Sequence, residues 1–250
     1  MLAGTTVRSP QGTIEASVLI AGQPVPVYRR TTDGALFVAG FPGAAYTLRV
    51  RNLTSGRIEI LNAVDGRNTL KDEPADMRAS TGMVFGPHQQ GDFTGWRMSD
   101  DEASDFLFGA PERSIAAAAT GSTANVGVIG FAAYREQQRH DYLRSAGAPV
   151  AFASGGPAQV SYGGAKGMSM GASAAADEPV SRGLGTGMGE RHHDHVGRTS
   201  FERAAGDPDV LAIGYDTSEA LDAMGITGPA EPNPFPGAGT GYEKYAQAGY

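Results

Sequence analysis

Three of the chain's five histidines fall in one short run, Glu190, Arg191, His192, His193, Asp194 and His195. In an extended backbone His193 and His195 share one face, and His192 and Asp194 share the other. Two imidazoles at i and i+2 can ligate zinc, copper or nickel, so His193 and His195 are the candidate metal ligands, with a transition metal as the cofactor they imply. A catalytic zinc site needs a third protein ligand and an open position, and Glu190, His88 or His140 could supply that ligand only by tertiary accident. The order of residues departs from the His-x-His-x-Asp-His string of metallo-β-lactamase-like hydrolases. A solvated or partner-facing polar strand is the competing reading.

The second candidate is Trp96 beside Arg97, the only tryptophan next to a cation. Together they could form an aromatic platform with a cationic clamp that binds a carbohydrate or a peptide. Alternation along a strand gives the other reading, an indole that seals the core with Arg97 on the opposite face. Asp100, Asp101 and Glu102, like Asp72 and Glu73, could be acid/base pairs or cation ligands, but as turn and cap residues they need no ligand.

Several chemistries are excluded. The array Gly183, Gly185, Gly187, Gly189 does not fit G-x-G-x-x-G in any frame, and Lys166 is not followed by the Ser or Thr of a phosphate loop. Conformational permissiveness is the expected role of these glycines. There is no H-E-x-x-H or EF-hand pattern. With no cysteine, disulfides, zinc thiolates and cysteine nucleophiles are all out of reach. A net charge of −7 argues against a nucleic-acid binder, which would show a basic face. No stretch approaches 18 uninterrupted apolar residues, and the first residues lack a basic-then-apolar leader, so no membrane span, no Sec signal and a cytoplasmic setting are the expectations.

The elements that must position these residues divide the chain in two. Residues 1–137 alternate short β-rich runs with turn residues, the pattern of a mainly β domain, an antiparallel β-sandwich of jelly-roll or Ig-like type. Expected strands cover residues 13–20, 25–30, 35–39, 46–53, 57–64, 82–85, 93–98, 106–108 and 126–135. Tyr46, Leu48 and Val50 alternate with Thr47, Arg49 and Arg51, which predicts a half-buried strand. Thr54, Ser55 and Gly56 should join it to residues 57–64 as a hairpin, and Asp65-Gly66 should make the next turn. Residues 126–134 are apolar on both faces and should form a central strand. Two short helical insertions are expected: one turn capped by Ser99 and Glu102, and residues 114–120 before Gly121.

Residues 46–53 (YTLRVRNL), 64–68 (VDGRN), 95–97 (GWR) and 125–130 (NVGVIG) resemble a family of bacterial proteins built around a β-sandwich module. Residues 183–191 (GLGTGMGER) and 201–226 resemble that family's Gly-rich C-terminal half, so the similarity spans roughly residues 45–226. The family carries no assigned activity. The resemblance therefore implies an architecture and supplies no mechanism.

From Ala151 to Gly189, 23 of 39 residues are Gly, Ala or Ser, too few large side chains to offset ordering entropy alone. Residues 138–189 are thus expected to be a Gly/Ala/Ser-rich connector, with Tyr162, Met168, Met170 and Met188 as its adaptable contacts. Within residues 190–228, strands over 195–203 and 209–215 and a helix over 218–224, capped by Asp216 or Thr217, form a β-β-α piece that must dock on the first domain. Residues 229–250 read as a Pro/Gly-rich tail. The function expected from all this is non-enzymatic: a structural or interaction protein, in a homo-oligomer or larger assembly. The alternatives are a metal-binding protein or metal-dependent enzyme at His193/His195, and a carbohydrate- or peptide-binding module at Trp96/Arg97.

Overall fold

The computed structural model describes residues 2–137 and 183–227. The expectations placed on the connector over 138–182, with Tyr162, Met168 and Met170, on His140 and on the tail lie outside the described residues. The described chain is mainly β, in two sheets whose pairings are antiparallel with one exception.

The first sheet runs in the order Leu2–Gly4, Val27–Arg29, Leu36–Gly40, Asp209–Thr217, Val128–Arg135, Ile58–Val64, Arg67–Asn68 and Glu73–Pro74, with Met83–Phe85 also on Ile58–Val64. Val128–Arg135 is central, as its two apolar faces require, between Ile58–Val64 and Asp209–Thr217. The exception is the parallel pairing of Asp209–Thr217 with Leu36–Gly40.

The second sheet runs Gly95–Arg97, Glu102–Gly109, Ala45–Asn52, Ile14–Ile20 and Val7–Arg8. Gln90–Phe93 adds to Ala45–Asn52, Gln23–Pro24 to Ile14–Ile20, and Gly185–His193 to Glu102–Gly109. In Ala45–Asn52 the alternation holds: Tyr46, Leu48 and Val50 are buried while Arg51 is exposed. One apolar cluster draws on both sheets, with Ile14, Val18, Leu48, Val50 and Phe106 from the second and Val38, Ile58, Ile60, Ile129 and Ile213 from the first. Burying that surface is the main drive to fold.

Four expectations change. Residues 46–53 and 57–64 do not pair as a hairpin, because Ala45–Asn52 and Ile58–Val64 lie in different sheets. Thr54 to Gly56 therefore carries the chain between sheets, pinned by Asn52, whose Oδ1 accepts from Thr54 N and whose Nδ2 donates to Gly56 O. Ser99 starts no helix; its Oγ accepts from Asp101 N in a turn, and Glu102 opens the next strand. Residues 195–203 are not a strand, apart from a bridge between Glu136 and Arg203; the strand lies earlier, at Gly185–His193. Composition assigns residues 183–189 to the connector, whereas here they sit in or beside that strand.

Both short helices carry their caps. Ser114 Oγ accepts from Ala117 N ahead of Ile115–Thr120, and Gly121 closes it at φ 70°. Thr217 Oγ1 accepts from Ala220 N ahead of Ser218–Ala223. Each cap contributes about 1 kcal/mol, too little for six residues alone. Leu221, packed with Phe37 and Ile226, supplies the rest for the second helix.

Candidate functional site

Trp96 and Arg97 lie on Gly95–Arg97, paired with Ser104 and Ala103 of Glu102–Gly109. Successive side chains leave opposite faces, so they do not form one site. Trp96 is 1% exposed, meets Phe106 edge-on with centroids 5.5 Å apart, and donates Nε1–H to Gly187 O at 3.1 Å. Both faces of the indole lie inside the core, and the aromatic platform is not available. Arg97 Nη2 donates to Asp194 Oδ2 at 2.9 Å and Nη1 to Asp194 O, while its buried Nε has no partner. Gly95 permits this register: a Cβ there would stand 2.0 Å from Ser104 O.

The histidine run follows the alternation. His192 sits among Thr94, Asp105 and Asp194. Its Nδ1 is 2.9 Å from Asp105 Oδ1 and its Nε2 is 3.0 Å from Thr94 Oγ1. Carboxylate, imidazole and hydroxyl are the parts of a nucleophilic triad. Thr94 Oγ1, however, gives its only proton to Asp194 Oδ2 at 2.8 Å. The imidazole then cannot take that proton as a base, and the array acts as a polar clasp between the strands. Alternation places His192 and Asp194 on one face, but nothing in the spacing points to Thr94 or Asp105.

His193 and His195 are exposed, on the other face. His193 stands opposite Glu102, and His195 Nδ1 is 2.7 Å from Asp101 Oδ1. That hydrogen bond, with the charges of His195 and His193 behind it, holds the Asp101 carboxyl below its ordinary range. His88 is exposed, in a turn at φ 55°. Among the described residues no three His, Asp or Glu side chains converge in a set that could hold a metal.

Of the four glycines at 183–189, Gly183, Gly185 and Gly189 serve close approach rather than unusual backbone angles. A Cβ on Gly185 would meet Ser114 and Val126 side-chain atoms at 2.9 Å, and one on Gly189 would meet Asp105 Cβ at 2.9 Å. None of the four is among the residues with positive φ.

Between them stands Thr186, fully buried at the centre of a polar network that sequence reasoning missed. Thr186 N donates to Asp65 Oδ2 at 2.9 Å, and its Oγ1 lies 2.8 Å from Tyr46 Oη and 2.7 Å from Tyr215 Oη. Tyr215 Oη donates to Asp65 Oδ1 at 2.7 Å, and Gly127 N donates to the same oxygen at 2.9 Å. Burial pushes the Asp65 carboxyl up, and the donors from Tyr215, Thr186 and Gly127 only partly offset it. Burial also pushes the Tyr46 and Tyr215 hydroxyls well up. These groups lie among core residues and fasten the strands to one another.

A cleft of about 190 Å³ is lined by Gln11, Thr13, Tyr134, Arg135, Asp207 and Asp209 among others. Burial works to raise the Asp209 carboxyl, but hydrogen bonds from Ser9 Oγ, Gln11 N and Thr13 N outweigh it and hold the group below its ordinary range. Its oxygens are thus already engaged.

No protein-family model, curated protein or solved structure matches this chain. Among the described residues no helix is long and apolar enough to cross a membrane.

Proposed function

We propose that this chain is a non-enzymatic β-sandwich protein of jelly-roll or Ig-like type that works by contact, in a homo-oligomer or a larger assembly. The observation that carries the reading is the position of Gly185–His193. This nine-residue strand pairs on one side with Glu102–Gly109 and on the other with no described strand. Gly185 and Thr186 are buried and Thr186 N is taken by Asp65, but from Met188 to His193 the strand is exposed or half-buried, and an open sheet edge there offers main-chain donors and acceptors to a partner. Exposed Met188, Glu190, Arg191 and His193 line it.

The edge is also restrained. Gly189 and Glu190 face a single residue, Asp105, where the register shifts between Ser104 and Phe106. Such a bulge, with Glu190 and Arg191 beside it, discourages indiscriminate strand pairing and leaves room for a partner of matching charge. The hydrogen-bonded state of Thr94, Asp105 and His192 supports a contact role over catalysis.

Size-exclusion chromatography of the full chain with light scattering tests the reading. The expected mass is a multiple of 25.9 kDa, lowered by Met188→Lys, which sets a charge on the edge. A single-chain mass at every concentration, unchanged by Met188→Lys, would end the self-association reading.

A further inference from the structure

The face of the histidine run that the clasp leaves free has its own geometry. Past His193 the backbone stays extended against its neighbour, with Asp194 N donating to Asp101 O and Val196 N to Asp100 O, each at 2.9 Å. The period-2 alternation therefore continues to His195. His192 and Asp194 are consumed by Asp105, Thr94 and Arg97, whereas His193 and His195 project together on the other side into solvent. The His195 side chain is 67% exposed.

The Asp101 contact fixes how His195 is presented. An imidazole that donates Nδ1–H to a carboxylate keeps the lone pair on Nε2, the arrangement in which metal-ligating histidines are usually held. The short contact between His195 Nδ1 and Asp101 Oδ1 supplies that orientation. Imidazole suits zinc, copper and nickel, and the chain has no thiolate to compete.

We propose that His193 and His195 form a solvent-facing site for one divalent transition-metal ion, bound through their imidazole nitrogens, with Asp101 orienting His195 and water filling the remaining positions. Because no third described side chain joins the set, the site exchanges metal readily rather than locking it in; it shares His193 with the edge proposed for assembly, and metal uptake by the unassembled chain tests it separately. Asp101 is a positioning residue. It acts through His195 and does not touch the ion.

The test is calorimetric titration of the full, tag-free chain with zinc chloride and nickel chloride near neutral pH, with thermal unfolding run on each variant to check the fold. One ion per chain is expected. His193→Ala and His195→Ala should each abolish binding, Asp101→Asn should weaken it about tenfold, and His88→Ala, on an exposed turn, should leave it unchanged. No saturable uptake by about 100 µM metal, or an affinity unchanged in a folded His193→Ala variant, overturns the site. An affinity unchanged in Asp101→Asn overturns the orienting role.

Discussion

Tyr215 and Asp65 lie 150 positions apart in the chain, yet the tyrosine hydroxyl donates to the carboxylate at 2.7 Å inside the core. Thr186 completes the contact from a third strand, so one buried acid ties together the turn after Ile58–Val64, the strand Asp209–Thr217 and the strand Gly185–His193.

Asp65→Ala would leave Tyr215 Oη, Thr186 N and Gly127 N without this acceptor, and the expected loss is about 3–4 kcal/mol in urea titration. The pH dependence has a definite sign. The folded Asp65 carboxyl keeps its proton to higher pH than the unfolded one, which titrates near 3.8. The folded state thus binds more protons in that window, and this group's contribution to stability falls as pH rises through it. Comparing wild type with Asp65→Asn at pH 4 and pH 7 isolates the effect, because the asparagine variant lacks that slope.

Glu59 and Arg203 form the second buried polar fastening. Arg203 Nε is 2.7 Å from Glu59 Oε2, its guanidinium also donates to Met77 O and Ser80 O, and it lies 3.7 Å over the Tyr134 ring. Arg203→Ala strands the 5%-exposed Glu59 carboxylate, at an expected cost of about 3 kcal/mol. Replacing both residues with methionine should recover much of it. Trypsin should cut after exposed Arg198 faster in the single variant; equal rates would show that the ion pair does not hold this segment.

Ile129 sits at 0% exposure in the central strand of the first sheet. Ile129→Asp buries an unpaired charge there and should cost several kcal/mol, about 4 or more. Near wild-type behaviour in denaturant would mean that the strand is not enclosed.

Gly95→Ala is expected to be the least tolerated small change. Its added methyl would fall 2.0 Å from the backbone oxygen of Ser104, which cannot move without parting Gly95–Arg97 from Glu102–Gly109. Circular dichroism and expression yield would report it, and a folded, stable Gly95→Ala protein would refute the close approach.

What could be read from the sequence was set by local chemistry. Tyr46, Leu48 and Val50 announce a half-buried strand because period 2 is written in adjacent residues, and Asp65-Gly66, both at positive φ, announces a tight turn for a similar reason. Partner choice was not readable. Thr54 to Gly56 looks like a hairpin turn, but whether the strands it joins pair or part depends on what each meets across the core. Trp96 and Arg97 invited a common site by adjacency, although alternation assigns them to opposite faces. The Asp65, Thr186 and Tyr215 network left no local trace, since its members come from three distant segments. Ser99 and Glu102 have capping-box spacing, but Glu102–Gly109 continues as a strand rich in alternating apolar residues, and sheet pairing prevails.

The parallel strand Asp209–Thr217 has a consequence for how the molecule is made. It lies between Leu36–Gly40 and Val128–Arg135, two strands synthesised long before it, and the Ser9 to Asp209 hydrogen bond closes across 200 positions. On the ribosome the first sheet therefore waits in two pieces, with facing edges unpaired, until Asp209–Thr217 has emerged. Loop closure over such separations puts folding in the slow, milliseconds-to-seconds class, and the waiting edges are where a nascent chain would be captured by a chaperone or by another copy of itself.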